Sequence, residues 1–200
     1  MNNRAIDLSL IFSTPLWTTI VPNYKNINKK MYNYIKTLHS KDSKGLTRSN
    51  LIGWHSKNFN LKDAEPQFFI NGISLMLNQS ITDMGWDLKK NELKITEMWS
   101  IINPTNSSNS RHIHSNNFIS AAYYIKAPPD SGDIVFYDPR SANVIRTPVI
   151  GSRNKLNSTT FNVSPKEGLL VLFPSFLHHS VNINKSREER MVVSFNIDLR

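Results

Sequence analysis

The sequence predicts an α+β fold that is mainly β, a rolled antiparallel double sheet with N-terminal helices bracing one face. Three observations carry this reading. Helical patterns occupy residues 24–39 and 65–84 and do not recur after residue 92. From there on the chain consists of short runs rich in Ile, Val, Phe and Tyr, separated by clusters of Asn, Pro, Gly, Ser and Asp. The last run alternates: Met191, Val193, Phe195 and Ile197 form an apolar face, while Arg190, Ser194, Asn196 and Asp198 fall on the other.

The first helix, 24–39, carries Lys25, Lys29, Lys30 and Lys36 among Asn and Tyr residues, the pattern of a solvated basic face. In the second, Phe68, Phe69, Ile73, Leu75, Met76 and Ile81 are spaced for a buried stripe, and Gly85 supplies a stop. Strands are expected at 93–103, 118–126, 133–137, 144–149, 159–163, 168–173, 178–183 and 190–198. Asn103–Asn109 and Ser141–Asn157 are expected to be flexible loops, which at a barrel mouth often set substrate choice. No period repeats and no low-complexity linker divides the chain. The expectation is therefore one domain over 1–200, with 1–91 as mainly helical support and 92–200 as the β core.

Composition narrows the chemistry. The 200 residues contain no cysteine, which excludes disulfides, thiolate metal sites, iron–sulfur clusters and cysteine nucleophiles. Any metal must be bound by His, Asp or Glu. No apolar run reaches 18 residues, and the short Leu8–Phe12 stretch lacks the layout of a signal peptide, so a soluble, cytoplasmic protein without a membrane partner is expected. The net charge of +9 is scattered rather than clustered, and no base-reading motif is visible, so nucleic acid is not the favoured partner.

The histidines are concentrated in Arg111-His112-Ile113-His114 and in His178-His179. Alternate residues of an extended chain point to one side, so His112 and His114 can present both imidazoles to one ion. Adjacent residues point to opposite sides, so only one of His178 and His179 can join them. Arg190 then opens the polar face of the last strand. A guanidinium inside a barrel mouth needs an anionic partner, because an unpaired buried charge costs several kcal/mol. A dicarboxylate would accept its fork. His39 and His55 read as ordinary polar residues, Trp54 and Trp99 as core aromatics, with Trp54-His55 alternatively lining the substrate entrance, and Asp138-Pro139-Arg140 as a turn.

Several segments together resemble the 2-oxoglutarate- and Fe(II)-dependent oxygenases of marine bacteria and their phages. They are Phe12-Ser13-Thr14-Pro15-Leu16, Gly53-Trp54-His55-Ser56, Trp99–Asn103, His112-Ile113-His114, Tyr123-Tyr124 and Ser131-Gly132. Phe136 and Asp138-Pro139-Arg140 follow, then Gly168 with Leu172–Ser175, His179-Ser180-Val181, Glu189-Arg190 and Ser194-Phe195-Asn196. The resemblance implies a double-stranded β-helix of jelly-roll or cupin-like form, with Fe(II), 2-oxoglutarate and O2 as cofactors. It also implies hydroxylation of an amino acid, a protein side chain or a small metabolite, with release of succinate and CO2.

By position, His112 and His179 match the family's metal histidines, and Arg190 matches the arginine that pairs with 2-oxoglutarate. Tyr124 and Ser194 are further candidates for that cosubstrate. Val192 stands where the superfamily usually has a serine. His114 stands where it usually has a carboxylate. Three readings of the third ligand are open: His114 itself, water, or a carboxylate from elsewhere such as Asp138. The first is preferred because imidazole is a competent iron ligand, and a neutral third ligand would also suit Zn or Ni. One rival to the oxygenase is a cupin-like metal barrel that uses no oxo acid. A second is a non-catalytic jelly roll whose histidines only pack. Arg190 distinguishes the oxygenase from the cupin.

Overall fold

The computed structural model describes residues 6–140 and 148–200. Most of the candidate strand 144–149 lies outside them, and Pro148 and Val149 are in no strand. The elements run β1 (Trp17–Ile20), α1 (Tyr24–Lys41), β2 (Asn50–Leu51), β3 (Trp54–His55), α2 (Ala64–Asp83), β4 (Leu93–Asn103), β5 (Ser108–His112), β6 (Ile119–Lys126), β7 (Ile134–Tyr137), β8 (Thr160–Val163), β9 (Leu169–Pro174), β10 (His179–Val181) and β11 (Arg190–Leu199). Two antiparallel sheets result. One has the order β1-β9-β6-β11-β4-β3 and the other β2-β5-β10-β7-β8. The N-terminal part contributes strands as well as helices, since β1 and β3 close the two edges of the larger sheet.

Alternation along the strands divides the interior into two layers. On β11, Met191, Val193, Phe195 and Ile197 are fully buried against the helices. Arg190, Val192 and Ser194 point the other way, into a cavity. On β6, Ile119, Ala121, Tyr123 and Ile125 join the helix layer, while Ala122 and Tyr124 pack between the sheets with Ile134, Phe136, Val171 and Phe173. The site therefore lies between the two sheets, away from the helices.

The helices form on i, i+4 stripes. α1 buries Ile27, Met31 and Ile35, and its lysines face outward, Lys36 pairing with Glu189 at 3.3 Å. Asn28 is the polar exception on the buried face. It donates to the Ile125 carbonyl at 2.8 Å and accepts from the Tyr123 hydroxyl at 2.7 Å, which ties α1 to β6. α2 buries Phe69, Ile73, Leu77 and Ile81. Leu75, expected in that stripe, is instead 79% exposed, because it lies two residues from Ile73 and Leu77 and so on the opposite face of the turn. Gly85 ends the helix at φ +70°, a conformation glycine adopts without Cβ strain.

Candidate metal centre and cosubstrate pocket

β5 and β10 are neighbours in the smaller sheet, and their pairing sets His112 directly opposite His179. His114 lies just beyond the end of β5, where its backbone N–H donates to the Ser175 carbonyl at 3.0 Å. One nitrogen from each of the three rings falls within 4.8 Å of the others, close enough to share one ion. The ring centroids are 4.2 Å apart for His112 and His179, 5.2 Å for His112 and His114, and 5.1 Å for His114 and His179. His178 faces solvent, as strand alternation requires.

Hydrogen bonding prepares two of the rings as ligands. His112 Nδ1 contacts the Ser110 carbonyl at 2.7 Å and His179 Nδ1 the Leu177 carbonyl at 3.0 Å. A carbonyl only accepts, so both Nδ1 atoms carry the proton and each Nε2 keeps its lone pair for a metal. Burial pushes the His179 pKa down to about 3 and the His114 pKa down to about 4, with neighbouring imidazoles adding to the effect, and it lowers the His112 pKa too. All three rings are thus neutral near pH 7, the form that binds metal. Three imidazoles at this separation fit a divalent transition metal. Asp138 is not part of the cluster, since its carboxylate pairs with Arg140 at 2.8 Å.

The three histidines share a cavity of about 670 Å³ with Arg190, Tyr124 and Ser194. Arg190 is 1% exposed. One of its terminal nitrogens donates to the carbonyls of Ser131 and Gly132 at 2.6 and 2.7 Å. Gly132 takes φ +89°, and a Cβ added there would overlap the Asn182 carbonyl. Among the described residues no carboxylate pairs with the guanidinium. Its Nε and the neighbouring Ser131 hydroxyl are buried without partners. Burial lowers the Arg190 pKa and pushes the Tyr124 hydroxyl up to about 12. A buried guanidinium without a carboxylate partner, on a cavity wall, has the chemistry to take an anion.

Sequence reasoning reached one part of this cavity only as an alternative reading, the Trp54-His55 pair as a substrate entrance, and did not connect it with Trp99. His55 is 8% exposed and stacks on Trp99 at 5.7 Å with the planes 10° apart. Trp99 in turn stands 5.5 Å from the His114 ring. Arg48 and Glu97 line the same space. The available signal was that Gly53–Ser56 and Trp99–Asn103 each carry a Trp, and β3 and β4 bring the two segments side by side.

Residues 97–196 match the 2OG-Fe(II) oxygenase family. The chain belongs to this family, and its cofactors are accordingly Fe(II) and 2-oxoglutarate. No curated protein matches the sequence. Among solved structures it is similar to a Pseudomonas putida prolyl-4-hydroxylase, with a TM-score of 0.66, 12% identity and 94% of each chain covered. It is also similar to the epimerase SnoN of nogalamycin biosynthesis in complex with Fe3+ and alpha ketoglutarate, with a TM-score of 0.67, 10% identity, and 92% of this chain and 79% of that one covered. HygX from Streptomyces hygroscopicus, with nickel and 2-oxoglutarate bound, matches with a TM-score of 0.62 and 10% identity over 92% of this chain and 83% of its own. At these identities the likeness establishes the jelly-roll fold and nothing finer. No helix among the described residues is long and apolar enough to cross a membrane.

Proposed function

We propose that this protein is a 2-oxoglutarate- and Fe(II)-dependent dioxygenase that hydroxylates an amino acid, a protein side chain or a small metabolite. The overall balance converts a substrate C–H, O2 and 2-oxoglutarate into the alcohol, succinate and CO2. The observation that carries the reading is Arg190, buried, without a carboxylate partner, and lining the same cavity as the three histidines.

In this reading His112, His114 and His179 hold the metal. Arg190 receives the distal carboxylate of the cosubstrate, with the Tyr124 hydroxyl as a second donor, since it makes no hydrogen bond to described residues and shares the inward face. Ser194 lies four residues along β11 from Arg190, about 13 Å at the usual strand rise. It therefore supports the oxo-acid end of the cosubstrate and not the distal carboxylate. When bound, the iron and oxo acid supply the oxidising chemistry. The chain contributes neutral imidazoles, a fixed cation for the anionic cosubstrate and walls that limit water.

The test is turnover without a prime substrate. Incubation with Fe(II), O2 and 2-oxoglutarate is expected to form succinate slowly in wild type, and Arg190→Ala is expected to require a roughly ten- to hundred-fold higher 2-oxoglutarate concentration. Metal binding with no succinate and no response to 2-oxoglutarate would favour the cupin-like barrel instead.

A further inference from the structure

The strand order of the larger sheet puts β4 and β3 at one edge, beyond β11. The cavity wall there is made by Trp99 and His55, stacked nearly parallel, and the exposed side chains of Arg48, Lys57 and Glu97 surround its mouth. Two features of this stack stand out chemically. The indole Nε1–H of Trp99 is buried and has no acceptor, whereas those of Trp17 and Trp54 are bonded to Asp83 and to the Asp42 carbonyl. His55 shows the complementary state. Its Nδ1 contacts the Ser56 carbonyl at 2.7 Å and must donate there, so in the neutral ring Nε2 is an acceptor, and no described residue bonds to it.

One unused donor and one unused acceptor, on two stacked rings that line the same cavity, match a particular group. A carboxylate would satisfy the indole but would be repelled by the Nε2 lone pair. An ammonium would satisfy His55 but would leave the indole unpaired. An amide offers a carbonyl to the indole and an N–H to the imidazole, and its flat face suits the aromatic walls. The distal carboxylate of the cosubstrate cannot be the partner of Trp99. Trp99 is in register with Ser194, and Asn103 with Arg190, so about 13 Å of strand separates the Trp99 and Arg190 backbones.

We propose that Trp99 and His55 form an amide clamp for the prime substrate, with the indole donating to the amide carbonyl and His55 Nε2 accepting from its N–H. The proposal rests on the oxygenase reading and deepens it, naming an amide-bearing substrate. Trp99 adjoins His114, so the clamp would hold the amide beside the metal centre. A primary carboxamide presents its carbonyl and an N–H on one edge and suits two stacked rings, whereas a trans peptide bond presents them on opposite edges, and the two are separated by experiment.

The experiment follows the tryptophan indole N–H signals by NMR in 15N-labelled protein loaded with Zn(II), a diamagnetic substitute for iron, with the Trp99 signal assigned through Trp99→Phe. 2-Oxoglutarate is added first, then N-methylpropionamide as a peptide-bond mimic, propionamide as a carboxamide mimic, or methyl propionate as the ester that lacks the N–H. The expected result is a saturable downfield shift of the Trp99 indole with an amide and a weaker response to the ester, the tighter amide identifying the source. Trp99→Phe and His55→Phe should each weaken amide binding roughly two- to ten-fold, read from the other signals that shift, with 2-oxoglutarate affinity unchanged. Equal responses to amide and ester, no response to either amide, or a Trp99 shift produced by 2-oxoglutarate alone would overturn the clamp. If 2-oxoglutarate fails to bind, the oxygenase reading falls, while the amide titration still reports on the clamp.

Discussion

His112 and His179 stand opposite each other across β5 and β10, direct partners in the ladder with ring centroids 4.2 Å apart. Sheet register therefore sets the spacing of two candidate ligands, and no flexible loop intervenes between them. His179→Ala is expected to weaken binding of Co(II) or Zn(II) by more than about ten-fold, while the protein keeps its fold. Isothermal titration and the visible spectrum of the Co(II) form measure this; unchanged affinity would mean that His179 only packs against Phe173, whose ring lies 4.6 Å away.

His114 decides which of the three ligand sets holds. His114→Ala should lower metal affinity by more than about ten-fold, whereas His114→Asp, which places the family's usual carboxylate there, should restore most of it. Affinity that is indifferent to both substitutions would point to a site with two histidines and water.

Asn28 contributes to stability and not to the site. It is 8% exposed, and the Tyr123 hydroxyl and the Ile125 carbonyl depend on it inside the core. Asn28→Leu leaves both without that partner and should cost about 1–3 kcal/mol in urea unfolding, with metal affinity unchanged. Tyr123→Phe with Asn28→Leu removes two of the three partners and should be less destabilising than the sum of the single changes.

Tyr34 should make stability fall at high pH. Burial raises its pKa well above 10, and its hydrogen bond to Asp63, 2.8 Å long, adds to the rise. A group whose pKa is raised on folding stabilises fully below its unfolded value and progressively less above it. Wild type should therefore lose stability relative to Tyr34→Phe as pH climbs beyond about 10. Melting curves of both proteins at rising pH measure the difference; parallel curves would contradict it.

The parts of the fold that were legible in the sequence are those where one physical rule dominates. The last strand alternates cleanly because one face packs on the helices and the other lines the cavity. The expected strand 93–103 matches β4, and the His112 and His114 spacing placed both rings on one side. β5 was not expected as a strand, and its first two residues, Ser108 and Asn109, fell in the expected loop, because Ser108 to Arg111 is polar; its backbone pairs with β2 and β10, and Asn109 is buried and bonded to Asn103 and Ser49. Strand propensity does not register a ladder that carries polar side chains into a site. His55 was read as an ordinary polar residue because its burial arises from pairing with β4, nearly 50 residues away in sequence. The same long-range pairing exposed the unused donor of Trp99, which composition alone presents as one more core aromatic.

Receipt of 2-oxoglutarate by Arg190 beside the three histidines is the step on which the proposed function rests. It is tested most directly by anaerobic titration with Fe(II) and 2-oxoglutarate, following the weak visible charge-transfer band of the chelate in wild type and Arg190→Ala. The expected result is a band that requires both additions and that in the variant appears only at roughly ten- to hundred-fold higher 2-oxoglutarate. Iron binding without a band in wild type, or a band that forms equally well in Arg190→Ala, would rule out Arg190 as the partner of 2-oxoglutarate.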